Sequence, residues 1–160
     1  MVPSYSGKRI AGTMDILRRN TDYALRLMVG LARHQDNGSV STRLLAQEQE
    51  VSYQLACKLM QQLHDAKIVE STMGPKGGFR LGRKMADISL LDIIQAVQGP
   101  LSLNRCLVRE ACCPRQDACR VRAKMGELQD RMGEYLGGVT LADLASGREA
   151  RTKGIAGGKE

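Results

Sequence analysis

The segment Ser52–Arg83, SYQLACKLMQQLHDAKIVESTMGPKGGFRLGR, decides the fold. Ser52 is a good N-cap residue, and Leu55, Leu59, Met60 and Leu63 follow it at intervals of three or four, which predicts an amphipathic helix over about 53–66. Ile68 to Thr72 then alternates as a strand does. Gly74-Pro75-Lys76-Gly77-Gly78 makes a turn, and Phe79-Arg80-Leu81 returns as a second strand. From Thr72 to Lys84 this hairpin carries Lys76, Arg80, Arg83 and Lys84 and no acidic residue. A glycine turn with a lysine at its tip can lie close against a sugar–phosphate backbone, because no Cβ blocks the approach.

Upstream, Ser41 or Thr42 can cap a second, shorter helix, with Leu44, Leu45 and Ala46 facing inward and Glu48 near its end. Before it, Ile16, Leu17, Ala24, Leu27, Met28, Leu31 and Ala32 recur at helical spacing over about 15–34, and Asn37-Gly38 stops that helix. Two short helices in a row fit any small helical domain, and a hairpin alone is an ordinary exposed loop. The helix pair followed directly by the hairpin predicts a mainly α domain with a small β-hairpin, a winged helix-turn-helix over 14–99.

Downstream, Ser89 caps a helix of about 90–98 whose apolar face is Leu90, Leu91, Ile94 and Val97, ended by Gly99-Pro100. A cysteine-rich loop occupies 100–119. Beyond it, about 120–136 reads as a long helix with Val121, Met125, Leu128, Met132 and Tyr135 spaced four, three, four and three, an a/d seam. Gly126 and Gly133 weaken this helix by about 1 kcal/mol each. Its seam therefore needs cover, either from its twin in a homodimer or from its own domain, and 120–144 is the expected dimerisation unit. Residues 1–13 and 145–160 are Gly-, Ser- and Lys-containing stretches without periodicity, expected to be flexible tails.

The 160 residues carry a net charge of +7, which points to a nucleic-acid partner. With one Phe, four Tyr and no Trp, the chain lacks the aromatic platforms that grip single strands, so the expected partner is double-stranded DNA. No apolar run reaches 18 residues, and MVPSYSGKRIAGT holds no signal-like apolar core, so no membrane association and a cytoplasmic location are expected.

Four of the five cysteines lie between Cys106 and Cys119, in the run Cys106-LVREA-Cys112-Cys113-PRQDA-Cys119. Clustered thiolates repel and oxidise unless a cation shares them. An iron–sulfur cluster fits a loop that wraps several soft ligands. Structural zinc favours ligand pairs two to four residues apart, whereas the gaps here are five or six. A thiol–disulfide switch is a further option, since Arg105, Arg109, Arg115 and Arg120 favour thiolates. The order of preference is cluster, then thiol switch, then zinc.

The chain from about Met14 to Leu144 resembles the Rrf-two family of winged-helix regulators. TDYALR at 21–26, HDAKIVES with GPKGGFRLGR across 64–83, the three-cysteine loop and TLADL at 140–144 carry the resemblance. It implies a homodimeric repressor or activator on a pseudo-palindromic operator, with DNA affinity answering to a 4Fe-4S or 2Fe-2S cluster. Cluster-holding members separate the last two cysteines by five residues, which implies Cys106, Cys113 and Cys119 as ligands, with Cys112 as a substitute for Cys113. IscR-like members place a histidine three residues after the last cysteine, where this chain has Arg122, which is no ligand at neutral pH. NsrR-like members place an aspartate in the first helix, reaching the other subunit's cluster. Here that implies Asp22, whose plain alternative is a capping or surface carboxylate. Where IscR-like proteins have a glutamate on the reading helix this chain has Cys57, and Met73 precedes Gly74 where arginine is common.

The expected DNA contacts are Ser52, Gln54, Cys57 and Lys58 from the reading helix, which faces away from Leu55, Leu59 and Leu63, with Lys76, Gly77 and Arg80 from the wing and Arg19 from the first helix. Cys57 as an inert, partly buried thiol, and His34 and His64 as surface histidines, are the ordinary readings. A metal-free regulator switched by a disulfide shares the same dimer and wing. A small thiol oxidoreductase is disfavoured because C-x-x-C and any cofactor motif are missing.

Overall fold

The computed structural model describes residues 16–74, 77–108, 114 and 118–147, with the side chains of Asn37, Arg105 and Val108 excepted. Helices α1 (Arg19–Arg33), α2 (Thr42–Glu48) and α3 (Tyr53–Asp65) come first. The antiparallel strands β1 (Val69–Thr72) and β2 (Gly78–Leu81) follow, then α4 (Leu90–Gln98), α5 (Arg105–Val108), α6 (Arg120–Gly138) and α7 (Leu141–Ser146). Helix α1 packs against α2, α3, α4 and α7. It does so through Ala24, Leu27, Met28 and Leu31, which are fully or almost fully buried and lie three, four and seven residues along one helical face. Leu45, Ala56, Leu59, Met60, Leu63, Ile68, Ile93 and Leu141 complete the same core.

The helix-turn-helix is held at its turn. Ser52 caps α3 by accepting the Leu55 N–H, and Ser41 caps α2 by accepting that of Leu44. Arg26 on α1 donates to the Gln49 carbonyl at 2.6 Å. Gly30 lets the turn close on α1, since a Cβ there would meet the Gln49 side-chain nitrogen at 2.8 Å. After α3, Lys67 adopts a left-handed conformation (φ 58°) that turns the chain into the hairpin. The register pairs Val69 with Leu81, Glu70 with Arg80, Ser71 with Phe79 and Thr72 with Gly78. Val40, ahead of α2, adds a two-way bridge to Phe79, and Gly78 is small enough to pass the Val40 carbonyl. The winged helix-turn-helix expected from the sequence is thus the fold observed.

Several details differ from expectation. Helix α1 begins at Arg19, not near 15, and Ile16 and Leu17 stay 55% and 39% exposed. Gln98 at the end of α4 holds this entry instead, accepting the Arg18 N–H at 3.0 Å and donating to the Ile16 carbonyl at 3.3 Å. Leu44 is exposed rather than inward, because the seven-residue α2 turns only Leu45 and Ala46 into the core. In α4 the fully buried pair is Ile93 and Ile94, with Leu90, Leu91 and Val97 half-buried. This helix is flanked by α1 and α3 on one side and α6 on another, so it needs two apolar faces. Cys106, expected in a loop, sits on the short α5, and α7 continues through Ala145 to Ser146.

The TLADL segment has a clear mechanical task. Thr140 and Asp143 form a capping box that starts α7. Leu141 donates its N–H to Ile88, Leu90 donates to Val139, and the Leu141 side chain is fully buried. The end of α6 is therefore anchored to the winged domain. Along the rest of α6 no residue is fully buried, and Val121, Leu128 and Tyr135 are 64%, 46% and 47% exposed.

Candidate nucleic-acid interface and sensor site

Ala56, Leu59, Met60 and Leu63 turn one face of α3 into the core, which leaves Tyr53, Gln54, Lys58 and Gln61 in solvent and Cys57 half-buried. Acidic side chains are absent from α3 until Asp65, and that one accepts a hydrogen bond from Gln61 at 2.8 Å. Gln54 and Lys58, one turn apart, present amide and ammonium groups of the kind that pair with adenine and guanine edges in the major groove. Ser52 is exposed, but its hydroxyl already accepts the Leu55 N–H at 3.4 Å. Tyr53 is 50% exposed with the Arg43 guanidinium 5.3 Å from its ring centroid. The neighbouring Cys57 side chain pushes the phenol above its ordinary value, while Arg43 pulls it down. Sequence reading passed over both Tyr53 and Arg43. Exposure of an aromatic at the first position of α3 was the available signal.

On the wing, Arg80 is exposed but not free. Its guanidinium donates to Glu70 at 2.7 and 3.0 Å across the hairpin. With the partners 60% and 53% exposed, this pair contributes little and can be exchanged for a phosphate. Glu70 lies two residues before the acid-free stretch, so only the strand register reveals the pairing. Gly77 is half-buried and closes the turn by donating to the Gly74 carbonyl at 2.8 Å. The expected contact Lys76 lies outside the described residues. Arg19 is exposed at the start of α1, where its side chain donates to the Tyr23 hydroxyl at 3.0 Å and lies over that ring. The two histidines serve the scaffold: His34 bonds Glu48, and His64 meets the Phe79 ring edge-on.

Cys106 and Cys119 are free and half-buried, while Cys112 and Cys113 lie outside the described residues. Arg122 connects the Cys119 thiol to the backbone of Cys106. Its backbone N–H donates to the Cys119 sulfur at 3.4 Å, and its guanidinium donates to the Cys106 carbonyl at 3.0 Å. Cys119 is thereby the N-cap of α6, facing the positive end of the helix. Helix α5 packs on α6 and brings Leu107 to the flank of Gly126. Asp22 is exposed in the first turn of α1, and among the described residues no three metal-binding side chains converge within one chain. A thiol capping a helix N-terminus, with a second cysteine residue tied to the same Arg122, supplies soft donors of the kind that fit an iron–sulfur cluster. A site completed within one protomer is not formed by the described residues alone.

A second connection went unnoticed in the sequence. Thr21, the one buried polar residue in the described core, donates its hydroxyl to Gln98 at 2.7 Å. Gln98 immediately precedes Gly99-Pro100, where the cysteine segment begins.

Comparison with known proteins agrees with this architecture. The family model for Rrf2, iron-dependent transcriptional regulator, matches residues 17–147. Protein rrf2 of Nitratidesulfovibrio vulgaris is 33% identical over 128 residues, covering 80% of this chain and 85% of that protein. The structure of CymR, the global cysteine regulator of B. subtilis, superposes with a TM-score of 0.68 at 26% identity, covering 86% of this chain and 100% of that one. IscR of T. potens superposes with a TM-score of 0.67 at 26% identity, over 92% and 95% of the two chains. Members of the family are transcriptional regulators and not enzymes, and no described helix is long and apolar enough to cross a membrane. The chain belongs to the Rrf2 family of winged-helix transcriptional regulators.

Proposed function

We propose that this regulator acts as a homodimer on a pseudo-palindromic operator and sets its DNA affinity by an iron–sulfur cluster, 4Fe-4S or 2Fe-2S, held by Cys106, Cys113 and Cys119, with Asp22 of the partner subunit as the fourth ligand. The observation that carries the sensor reading is the Arg122 bridge, which ties the Cys119 thiol at the N-terminus of α6 to the backbone of Cys106 on α5. Gln54, Cys57 and Lys58 enter the major groove, while Lys76, Gly77, Arg80 and Arg19 engage the backbone. Helix α6 pairs with its twin through Val121, Leu128 and Tyr135. A bound cluster supplies a centre open to oxidants, nitric oxide and competing thiols, the more so because a carboxylate is a hard, labile ligand for iron.

The chain's own residues transmit the state of that centre. Residues 100–119 take one arrangement with their thiolates engaged and another with them free. One end of the segment is the cap of α6, which sets the spacing of two reading helices. The other end is Gln98, tied to Thr21, Arg18 and Ile16 at the start of α1, beside Arg19.

Purification without oxygen tests this reading. A brown protein with near-equal iron and acid-labile sulfide, both lost in Cys106→Ala or Cys119→Ala, is the expected result. DNA affinity must then differ between loaded and cluster-free protein, and equal affinities defeat the switch. A second reading, a metal-free thiol switch, is favoured by the free thiols at Cys106 and Cys119 and by the likeness to CymR, a cysteine regulator. It predicts a colourless protein whose DNA binding changes on thiol oxidation and returns on reduction.

A further inference from the structure

Beside the N-terminal end of α3 lie two side chains, Tyr53 and Arg43, that the functional reading above does not use. Tyr53, the first residue of α3, keeps half its surface in solvent. It is fixed from two sides. The Arg43 guanidinium, in the first turn of α2, lies over the ring at 5.3 Å, and Cys57, one turn along α3, is close enough to the hydroxyl to push its ionisation up. A side chain held in this way has little rotamer freedom left to lose on binding. With a cation over one side of an exposed ring, Tyr53 offers an incoming surface mainly ring carbon. Cys57 beside it is a half-buried sulfur that behaves as a small apolar group. The N-terminal residues of a reading helix are the ones that meet base edges. In the major groove the distinctive apolar group is the 5-methyl of thymine.

We propose that Tyr53, locked by Arg43 and backed by Cys57, is a specificity-determining residue that reads a thymine methyl in each half-site of the operator. This rests on the DNA-binding reading of α3. The residue types explain the division of labour: Gln54 and Lys58 take polar base edges, and Tyr53 takes the methyl.

The test begins by selecting operators for the full-length protein from a random duplex library. Each thymine of the enriched sequence is then replaced singly by deoxyuridine, which removes only the methyl, and affinities are measured for wild type, Tyr53→Phe, Tyr53→Ala and Lys58→Ala. For wild type, one thymine per half-site shows about a fourfold loss, the worth of burying one methyl-sized group. Tyr53→Phe keeps that penalty because the ring remains. Tyr53→Ala abolishes it, and Lys58→Ala binds more weakly overall but keeps it. A penalty undiminished in Tyr53→Ala, or the absence of any thymine penalty, overturns the proposal. So does a Tyr53→Phe protein in which the thymine penalty disappears, since the ring is then not what reads the methyl. Failure to enrich any sequence defeats the DNA-binding reading itself, whereas an enriched operator without a thymine penalty defeats only the role of Tyr53.

Discussion

Replacing Leu128 by alanine should weaken dimerisation while leaving the protomer folded. The side chain is 46% exposed in the single chain, near the middle of the α6 stripe between Val121 and Tyr135. Complete burial of a leucine is worth about 1.5–3 kcal/mol. Covering the remaining half therefore supplies about 1 kcal/mol per copy. A two-fold interface uses the residue twice, so the variant loses about 2 kcal/mol of association, a weakening of about 30-fold in the dimer constant. Alanine is the better helix former, so the loss cannot be charged to α6 unfolding. Sedimentation equilibrium over a range of concentrations reads the constant directly, with circular dichroism confirming unchanged helicity. Tyr53→Ala serves as control, because Tyr53 is equally exposed but lies on α3. A dimer constant within threefold of wild type for Leu128→Ala, or an equal loss in the control, refutes the assignment of this stripe to the interface.

Arg80→Ala should lower the slope of log affinity against log salt by about one unit, the signature of a single phosphate contact. A binding titration at four or more salt concentrations measures it, and an unchanged slope leaves Arg80 paired to Glu70 on the bound protein. Leu141→Ala removes a fully buried side chain where α7 meets the core, and should cost about 2–5 kcal/mol in urea unfolding. A cost under 1 kcal/mol contradicts the anchoring of α6 through TLADL. The Tyr53 phenol, isolated as the difference between wild type and Tyr53→Phe in an ultraviolet titration, should ionise above its ordinary value and move down in Cys57→Ala. Because the folded value is the raised one, the stabilising contribution is present below the ordinary phenol range and fades as pH climbs through the raised value. An identical titration in Cys57→Ala denies the influence of Cys57.

The reading helix and wing were legible because their signals are local. A serine cap, core residues three and four apart, and a glycine turn between alternating stretches each constrain only their neighbours, and the structure places Ser52, Leu59, Met60, Leu63 and the hairpin accordingly. The misses are residues whose environment is set from far along the chain. Ile16 and Leu17 continue the periodicity of α1, but Gln98, some 80 residues away, bonds the Ile16 carbonyl and the N–H of the extended Arg18 and keeps this entry out of the helix. Arg80 looked unopposed because its partner Glu70 enters only through the strand register. The two-faced burial of α4 follows from α6 lying across it, a packing that no periodicity within nine residues can announce.

The sensor half shows the same division more sharply. Residue type alone identifies soft, oxidisable donors in 106–119, so the class of chemistry is written in the sequence. The ligand geometry is not, because it depends on how α5 meets α6. Arg122 is the telling case. Read as a missing histidine ligand, it counted against an IscR-like fourth ligand. In the folded chain it is the group that draws Cys106 and Cys119 to one place, without itself being a donor to metal. An arginine can do this with a cluster present or absent, since its guanidinium reaches a backbone carbonyl, its own backbone N–H reaches the Cys119 sulfur, and neither bond requires iron. The Cys106 backbone and the Cys119 cap therefore stay linked when the thiols are released, leaving the thiols available for reassembly or for oxidation. That is why iron content, and not the shape of the protomer, separates the cluster reading from the thiol switch.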